Sequence, residues 1–290
     1  MERFIAIDWG TTNRRAYLIE PDGTIAGEMA DDKGVRAMAG AGYGAEVDAL
    51  RRRFGARPVL CAGMAGSDIG WLGSPYVACP ADASAMARHA KKIDEATYIL
   101  PGVSQDGDAG SGVMRGEEVQ AIGAMAGGWT PPDGLICNPG THTKWIIHRE
   151  DRIAGFSTAM TGELFALLRT QSILAPDLTE PPAADTDFSE GVATGLASPD
   201  WYVRLFSVRA SRLLGRPRAN PTSFLSGLLI GADVCGALAA RKPDKISIMG
   251  RGDLCELYSA AIRLAGHEAI LVDGAAAFAA GAVAIMGEIP

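Results

Sequence analysis

Short apolar runs separated by tight polar turns occur at the start of the chain and again in its middle. Residues 4–30 and residues 135–160 both read as an apolar strand, a Gly-Thr turn, a second strand, a polar turn and a third strand. The polar turns are Pro21-Asp22-Gly23 and Arg149-Glu150-Asp151. A chain that builds this pattern twice is expected to form two similar domains that face each other across a cleft.

Between and after these segments, helical periodicity alternates with short apolar strands. The expected strands are 58–62, 97–100, 245–249 and 267–272, and the expected helices are 45–54, 81–91, 116–126, 162–174, 201–214, 221–240, 253–265 and 275–286. Segments 101–112 and 175–186 read as loops because they are rich in Gly, Asp, Ser or Pro. This alternation predicts an α/β fold with partly parallel sheets. We expect domains at 1–112 and 113–290, with the last helix assignable to either.

Composition narrows the class of protein. The chain has 290 residues, 48% hydrophobic and 21% charged, with a net charge of −7. Its longest basic run is Arg51-Arg52-Arg53, so neither nucleic acid nor an anionic membrane is an expected partner. The five cysteines are scattered without a CxxC pair, and the start shows no apolar signal region. These features predict a cytoplasmic enzyme with reduced thiols.

The first Gly-Thr turn carries the residue types that phosphate and magnesium need. Gly10, Thr11 and Thr12 supply close backbone approach, amides and hydroxyls. Asp8 ends the first strand and is our candidate ligand for Mg²⁺, which prefers oxygen donors. The candidate substrate-binding residues nearby are Asn13, Arg14 and, in a later Gly-rich segment, Ser67. Arg14 could pair bidentately with a substrate carboxylate.

The second Gly-Thr turn repeats this chemistry and adds cations. Gly140 and Thr141 are expected to contact nucleotide, and His142 and Lys144 are candidates for binding phosphate or an acidic substrate. Gly250, after the strand 245–249, could allow a flat purine ring to lie on the backbone. Phosphate-binding turns in both halves of the chain favour a nucleotide in the cleft and therefore a phosphoryl-transfer enzyme.

Four carboxylates are candidates for a general base. Glu117 and Glu118 lie in the first turn of a predicted helix, whereas Asp106 and Asp108 lie in the preceding loop. Any of them could accept a proton from a substrate hydroxyl. Acidic residues also favour helix starts for electrostatic reasons alone, so the choice stays open. Arg115, just ahead of the helix, is a further candidate for binding an acidic substrate.

Taken together, the motifs resemble the 2-dehydro-3-deoxygalactonokinase family. The resemblance rests on IAIDWGTTNRRA, AGMAGSDIGW, VMRGEE, PGTHTKW, MTGEL, FSVRAS and FLSGLLIGAD, in this order along the chain. It implies a duplicated ribonuclease-H-like fold of the actin/hexokinase/Hsp70 group, with ATP and Mg²⁺ in the cleft. It also implies transfer of the γ-phosphoryl group to the 6-hydroxyl of 2-keto-3-deoxygalactonate, in galactonate breakdown.

Other interpretations stay open at this stage. The acceptor could be a related sugar acid such as 2-keto-3-deoxygluconate or a neutral sugar, or the chain could be a non-catalytic ATP-dependent sensor, an assembly protein or a phosphatase of the same fold. The expected partners are a small sugar acid and ATP. The sequence leaves the oligomeric state open, with a homodimer as one candidate.

Overall fold

The computed structural model describes residues 1–38, 42–107, 110–239, 243–250 and 252–289. The chain forms two compact units. Unit 1 contains Met1–Asp133, Ile146–Phe156 and Asp273–Pro290, and unit 2 contains Gly134–Trp145 and Ser157–Val272. The last helix therefore belongs with the N-terminal part of the chain. The division into 1–112 and 113–290 stays a prediction of domain organisation, whereas the first segment of unit 1 extends to Asp133.

Strands and helices alternate along most of the chain. The strands are β1 (Phe4–Trp9), β2 (Arg14–Ile19), β3 (Ile25–Asp31), β4 (Val59–Gly63), β5 (Tyr76–Ala78), β6 (Lys91–Asp94), β7 (Thr97–Ile99), β8 (Gly102–Gln105), β9 (Gly112–Met114), β10 (Gly134–Asn138), β11 (Thr143–Arg149), β12 (Arg152–Ala159), β13 (Lys245–Gly250) and β14 (Glu268–Asp273). The helices are α1 (Tyr43–Phe54), α2 (Ala83–Arg88), α3 (Glu117–Ala126), α4 (Thr161–Gln171), α5 (Thr186–Ala197), α6 (Trp201–Arg204), α7 (Ser207–Leu213), α8 (Pro221–Leu238), α9 (Asp253–Leu264) and α10 (Gly274–Met286).

The six-stranded sheet has the order β3-β2-β1-β4-β7-β6. β1 pairs antiparallel with β2 and parallel with β4, so it is a central strand. Its continuous apolar run fits this position, because Phe4, Ile5 and Ile7 are fully buried. Parallel pairing brings the ends of β1 and β4 to the same edge, with Trp9 opposite Gly63.

The five-stranded sheet repeats this topology. Its order is β12-β11-β10-β13-β14, and β10 pairs parallel with β13. In both sheets the first strand of the repeat lies between the second and the fourth, and the third strand lies beside the second, at the edge of the sheet. The duplicated α/β fold predicted from the two similar segments is therefore confirmed.

Several elements differ from the sequence-based expectation. The predicted loop 101–112 contains β8 and the first residue of β9, because these strands bond to each other and β8 also bonds to β5. The predicted helix 81–91 ends at Arg88, and β6 follows as an antiparallel partner of β7. The predicted helix 201–214 is divided into α6 and α7.

Helix α5 has no counterpart in the prediction. It begins where the Asp185 carboxylate accepts a hydrogen bond from the amide of Phe188 at 2.9 Å, an N-cap contact. Glycines let α5 pack closely on α8: a Cβ at Gly191 would lie 2.2 Å from the Phe224 carbonyl oxygen. The weak apolar pattern of α5 therefore reflects backbone approach rather than large side chains.

Helix α8 is the core helix of unit 2. Within the described ranges it is the one helix long and apolar enough to cross a membrane, with a mean hydropathy of 1.3, and 67% of it is buried inside the protein. Phe224, Leu225 and Leu228 on this helix belong to a buried apolar cluster with Leu174 and Val208. Burial against its neighbours accounts for its apolar composition.

Candidate active site

The carbonyl groups of the turn after β1 point toward the segment 34–36. The carbonyl oxygens of residues 10–12 accept hydrogen bonds from the amides of residues 34–36, at 3.0 to 3.2 Å. Among the residues that the structure describes, the amides of Thr11 and Thr12 donate to no protein acceptor. A turn with its carbonyls occupied and successive amides open presents a partial positive charge to an anion.

Two glycines allow this geometry. The Gly10 amide donates to the Asn13 carbonyl oxygen at 2.9 Å, and a Cβ at Gly10 would lie 2.9 Å from that oxygen. A Cβ at Gly34 would lie 2.4 Å from the Thr12 carbonyl carbon. The segment around Gly34 is a support that the sequence reasoning missed, because it lies far from the Gly-Thr signature. Asn13 is exposed beside the turn.

Asp8 lies where the ends of β1 and β4 meet the start of α3. A Cβ at Gly63 would lie 3.4 Å from Asp8 Oδ1, and one at Gly116 would lie 3.8 Å from it. Burial raises the pKa of Asp8 to about 6, Arg15 opposes the rise and the Glu117 charge adds to it. A nearby cation would favour the ionised form of Asp8.

The oxygen donors near Asp8 fit Mg²⁺. No cluster of three or more His, Cys, Asp or Glu that could hold a metal occurs in the described parts of the chain. Mg²⁺ commonly uses one or two carboxylates and completes its shell with phosphate oxygens and water. Asp8, with Glu117 near enough to affect its pKa, matches that mode of binding.

Glu118 and Glu117 have different environments. Glu118 is fully buried, and both of its carboxylate oxygens accept a hydrogen bond from the Gly116 amide, at 2.8 and 2.7 Å. Burial, and secondarily the Glu117 charge, raise the pKa of Glu118 to about 8. Glu117 is only partly buried, and its Oε2 accepts from the Arg115 amide at 3.1 Å. The geometry favours Glu117 over Glu118 as a group that reaches a substrate.

The two loop carboxylates are placed less favourably. Asp106 is exposed and accepts a hydrogen bond from the Ser111 hydroxyl at 2.8 Å. Asp108, the third catalytic candidate, lies outside the described residues, as does Arg251. The choice of general base therefore stays a prediction.

Arg14 is engaged inside unit 1. Its side chain is 2% exposed and forms a bidentate pair with Asp31, at 3.1 and 2.5 Å, and a 3.1 Å contact with Glu46. The guanidinium also lies 5.1 Å from the centre of the Trp9 ring. These contacts explain why strand β2 begins with a buried arginine. They do not support the expected pairing of Arg14 with a substrate carboxylate.

Arg115 and Ser67 also have internal partners. Arg115 donates to the hydroxyl and the carbonyl oxygen of Ser74, at 2.6 and 3.0 Å, and its guanidinium lies 4.3 Å from the centre of the Tyr76 ring. The Ser67 hydroxyl donates to the Met64 carbonyl oxygen at 2.7 Å. In this conformation both side chains stabilise the loops around the ends of β4 and β9, and their substrate roles stay predictions.

In unit 2 the second Gly-Thr turn packs against the start of α4. The Glu163 amide donates to the Thr141 carbonyl oxygen at 2.9 Å, and a Cβ at Gly162 would lie 2.4 Å from the Gly140 carbonyl oxygen. His142 Nε2 lies 2.5 Å from Glu163 Oε2, and both side chains are exposed. The structure therefore brings Gly140, Thr141 and His142 together at one helix N-terminus, which favours an anion.

Lys144 is buried and Gly250 is partly buried, whereas the side chain of His142 is exposed. Lys144 is 6% exposed within β11. Gly250 has a φ of 142°, and a Cβ there would lie 2.7 Å from Cys255 Sγ. Close approach of Cys255 is thus a structural reason for glycine at this position, beside the predicted contact with a purine.

Asp233 is a carboxylate that the sequence reasoning left without a role. It accepts hydrogen bonds from Trp145 Nε1 at 2.8 Å, Thr161 Oγ1 at 2.7 Å and the Tyr258 hydroxyl at 2.6 Å. Its position within an otherwise apolar helical run was the available signal, because a charged group in such a run needs partners.

Comparisons with known proteins agree with this geometry. The profile of the family described as 2-keto-3-deoxy-galactonokinase matches residues 8–285. The 2-dehydro-3-deoxygalactonokinase of Escherichia coli strain K12 is 36% identical over 283 residues, which cover 96% of this chain and 96% of that protein.

Solved structures show the same fold. A crystal structure from Sinorhizobium meliloti, assigned as a 2-dehydro-3-deoxygalactonokinase protein, superposes with a TM-score of 0.90 at 34% identity and covers 98% of this chain and 97% of that one. Component A of the (R)-2-hydroxyglutaryl-CoA dehydratase of Acidaminococcus fermentans superposes with a TM-score of 0.53 at 12% identity, over 98% of this chain and 96% of that one. The second likeness concerns the fold alone.

Proposed function

The chain belongs to the 2-keto-3-deoxy-galactonokinase family, and we propose that it transfers the γ-phosphoryl group of ATP to the 6-hydroxyl of 2-dehydro-3-deoxy-D-galactonate. The observation that carries the proposal is the arrangement at the end of β1. There, the open amides of Thr11 and Thr12 follow Asp8, and Asp8 lies beside the start of α3, which carries Glu117. Phosphate-binding, metal-binding and proton-accepting groups are thus present in one unit.

In this mechanism the substrate 6-oxygen forms a bond to the γ-phosphorus while the bond from that phosphorus to the ADP oxygen breaks. Glu117 accepts the hydroxyl proton, because its carboxylate is partly exposed at the start of α3. Amides of Thr11 and Thr12 bind phosphate oxygens. The amides of Gly140 and Thr141 stay candidates for contacting the nucleotide. Positioning and charge neutralisation dominate such transfers, since the reaction needs little covalent help from the protein.

Asp8 would hold Mg²⁺, directly or through water. The bound ion would neutralise charge on the phosphates. Asp8 itself keeps a fixed position because its strand is central in the sheet. Its pKa of about 6 leaves it largely ionised at neutral pH and available for a cation.

The substrate is an acid and needs a cation or several donors. Of the predicted cations, Arg14 and Arg115 donate to groups within unit 1 and His142 contacts Glu163. His142 and Lys144 stay candidates for binding the acid or the phosphates. Small molecules are the proposed partners, and the proposed location is the cytoplasm, where ATP is available. A homodimer stays one candidate assembly.

A coupled assay of ADP release tests the proposal. Mg-ATP would be offered with 2-keto-3-deoxygalactonate, 2-keto-3-deoxygluconate, galactonate, galactose or no acceptor. We expect turnover chiefly with the first compound. ADP release that is equal with and without an acceptor would contradict the proposal and indicate an ATPase or sensor, and a preference for another acceptor would correct the substrate.

A further inference from the structure

The second Gly-Thr turn, residues 139–144, is attached to the rest of unit 2 by side chains that converge on one group. Trp145 follows the turn directly, and its indole N–H donates to Asp233 Oδ1. Thr161 begins α4, against which the turn packs, and its hydroxyl donates to Asp233 Oδ2. The Tyr258 hydroxyl on α9 donates to the same oxygen.

Tyr258 extends the network back into the turn. Its hydroxyl lies 2.8 Å from Thr143 Oγ1, and both side chains are buried. Thr143 and Trp145 are two residues apart on β11, so their side chains leave the same face of the strand. Lys144, between them, faces the opposite side. Anchoring Thr143 and Trp145 therefore fixes the direction in which Lys144 points.

The Asp233 carboxylate also binds the start of α4, on which the turn rests. Thr161 is the first residue of α4, and the next residues, Gly162 and Glu163, contact Gly140 and Thr141 through the backbone. Asp233 thus binds both the segment that leaves the turn and the helix start on which the turn rests. A displacement of either would move the amides of Gly140 and Thr141.

We propose that Asp233 is a positioning residue that fixes the turn 139–144 for binding the phosphates of the nucleotide. The identity of the ligand rests on the proposed kinase function. The structural coupling between Asp233 and the turn does not. Asp233 does not contact the turn's amides; it acts through Trp145, Thr161 and Tyr258. Burial raises the pKa of Asp233, and the three hydrogen bonds oppose that rise and favour its ionised form.

Asp233→Asn is the most informative substitution, because it keeps the size of the side chain and removes its charge. The amide retains an acceptor for Trp145 but weakens the contacts to the two hydroxyls, since hydrogen bonds to a charged group are the stronger ones. We expect KM for ATP to rise about tenfold, which corresponds to the loss of one charge-assisted hydrogen bond. We expect kcat to change less than about threefold, because the turn does not carry Glu117, the proposed proton acceptor.

A matched control is available in the same unit. The Asp177 side chain is 4% exposed and pairs with Arg212 on α7. Asp177→Asn removes a buried carboxylate charge of the same kind, so it reports the effect of lower stability alone. We expect Asp177→Asn to leave KM for ATP unchanged. Tyr258→Phe is a second test, and it should raise KM for ATP without a change of charge.

Hydrogen exchange of the protein without nucleotide separates this inference from the proposed function. The amides of residues 140–145 should exchange faster in Asp233→Asn and in Tyr258→Phe than in wild type and in Asp177→Asn. Unchanged exchange in both test variants would overturn the inference, even for an active kinase. An equal rise of KM for ATP in the Asp177 control would overturn it as well. If wild type released no ADP with any acceptor, the proposed function would fail, while the exchange data would still decide the role of Asp233.

Discussion

The Gly116 amide donates to both carboxylate oxygens of Glu118, at 2.8 and 2.7 Å, and so uses the second residue of α3 to cap the start of its own helix. The Glu118 side chain is fully buried. Two adjacent glutamates thus have different tasks, because one is turned into the protein and the other stays partly exposed. This difference is the basis for assigning the general base to Glu117.

Glu117→Gln should therefore lower kcat by about 100-fold or more, the usual effect of losing a general base. Glu118→Gln should lower kcat much less, and its main effect should be a change in the melting temperature. Steady-state rates with Mg-ATP and the sugar acid, measured beside thermal unfolding, separate the two effects. A larger fall of kcat in Glu118→Gln than in Glu117→Gln would reverse the assignment, and no fall in either would place the base elsewhere, with Asp106 and Asp108 as the next candidates.

The buried Glu118 also predicts a dependence of stability on pH. Its pKa is raised from 4.5 to about 8, so its stabilising contribution is complete below pH 4.5 and is lost as the pH rises through 8. The free energy of unfolding should fall more steeply between pH 5 and pH 8 in wild type than in Glu118→Gln. Asp8 and His148 are present in both proteins and cancel in this comparison. Parallel pH profiles from urea unfolding would contradict the prediction.

Asp8→Asn should abolish turnover with Mg-ATP, because the amide removes the negative charge that attracts the metal. The variant should fold, since Asn has the same size and burial penalises the charged form of Asp8. Asp22→Asn, in the exposed turn between β2 and β3, serves as the control. Activity close to wild type in Asp8→Asn would remove the metal assignment.

Arg14→Ala tests a structural against a substrate-binding role. Removing this buried cation leaves Asp31 and Glu46 without their shared partner. We expect a loss of about 1 to 3 kcal/mol in the free energy of unfolding, because both carboxylates are partly exposed and Glu46 keeps Lys33 as a partner. KM for the sugar acid should not change in the folded fraction. A large rise of that KM with unchanged stability would restore the substrate-binding role.

Gly34→Ala should weaken nucleotide binding through the turn after β1. The added Cβ would lie 2.4 Å from the Thr12 carbonyl carbon, so the turn must move. Gly44→Ala adds the same atom in α1, where nothing lies within 4 Å, and should leave KM for ATP unchanged. Equal KM values for the two variants would show that the position of this turn does not matter for nucleotide binding.

Much of the fold could be predicted, because strands such as β1 and β10 carry strong local signals. Their apolar runs and the Gly-Thr turns that follow specify a duplicated unit without reference to distant residues. β8 and β9 could not be predicted, since residues such as Ser104 and Gln105 form strands only through pairing with β5 and with each other. Helix α5 was missed because its glycines pack by backbone approach.

The candidate site was predictable by residue type and less so by role. Asp8 and the Gly-Thr turns are local motifs with a direct chemical reading. Whether Arg14 binds a substrate or an internal carboxylate depends on Asp31 and Glu46, which only the folded chain brings to it. The support from Gly34 and the anchoring by Asp233 arise likewise from contacts between segments that are distant in sequence.

The most direct test of the central claim is the position of phosphate in the product. The chain would be incubated with Mg-ATP and 2-keto-3-deoxygalactonate, and the product examined by proton-coupled ³¹P NMR. We predict a new phosphomonoester whose phosphorus couples to the two protons on carbon 6, formed in step with ADP. Formation of inorganic phosphate alone, or coupling to protons on another carbon, would contradict the account.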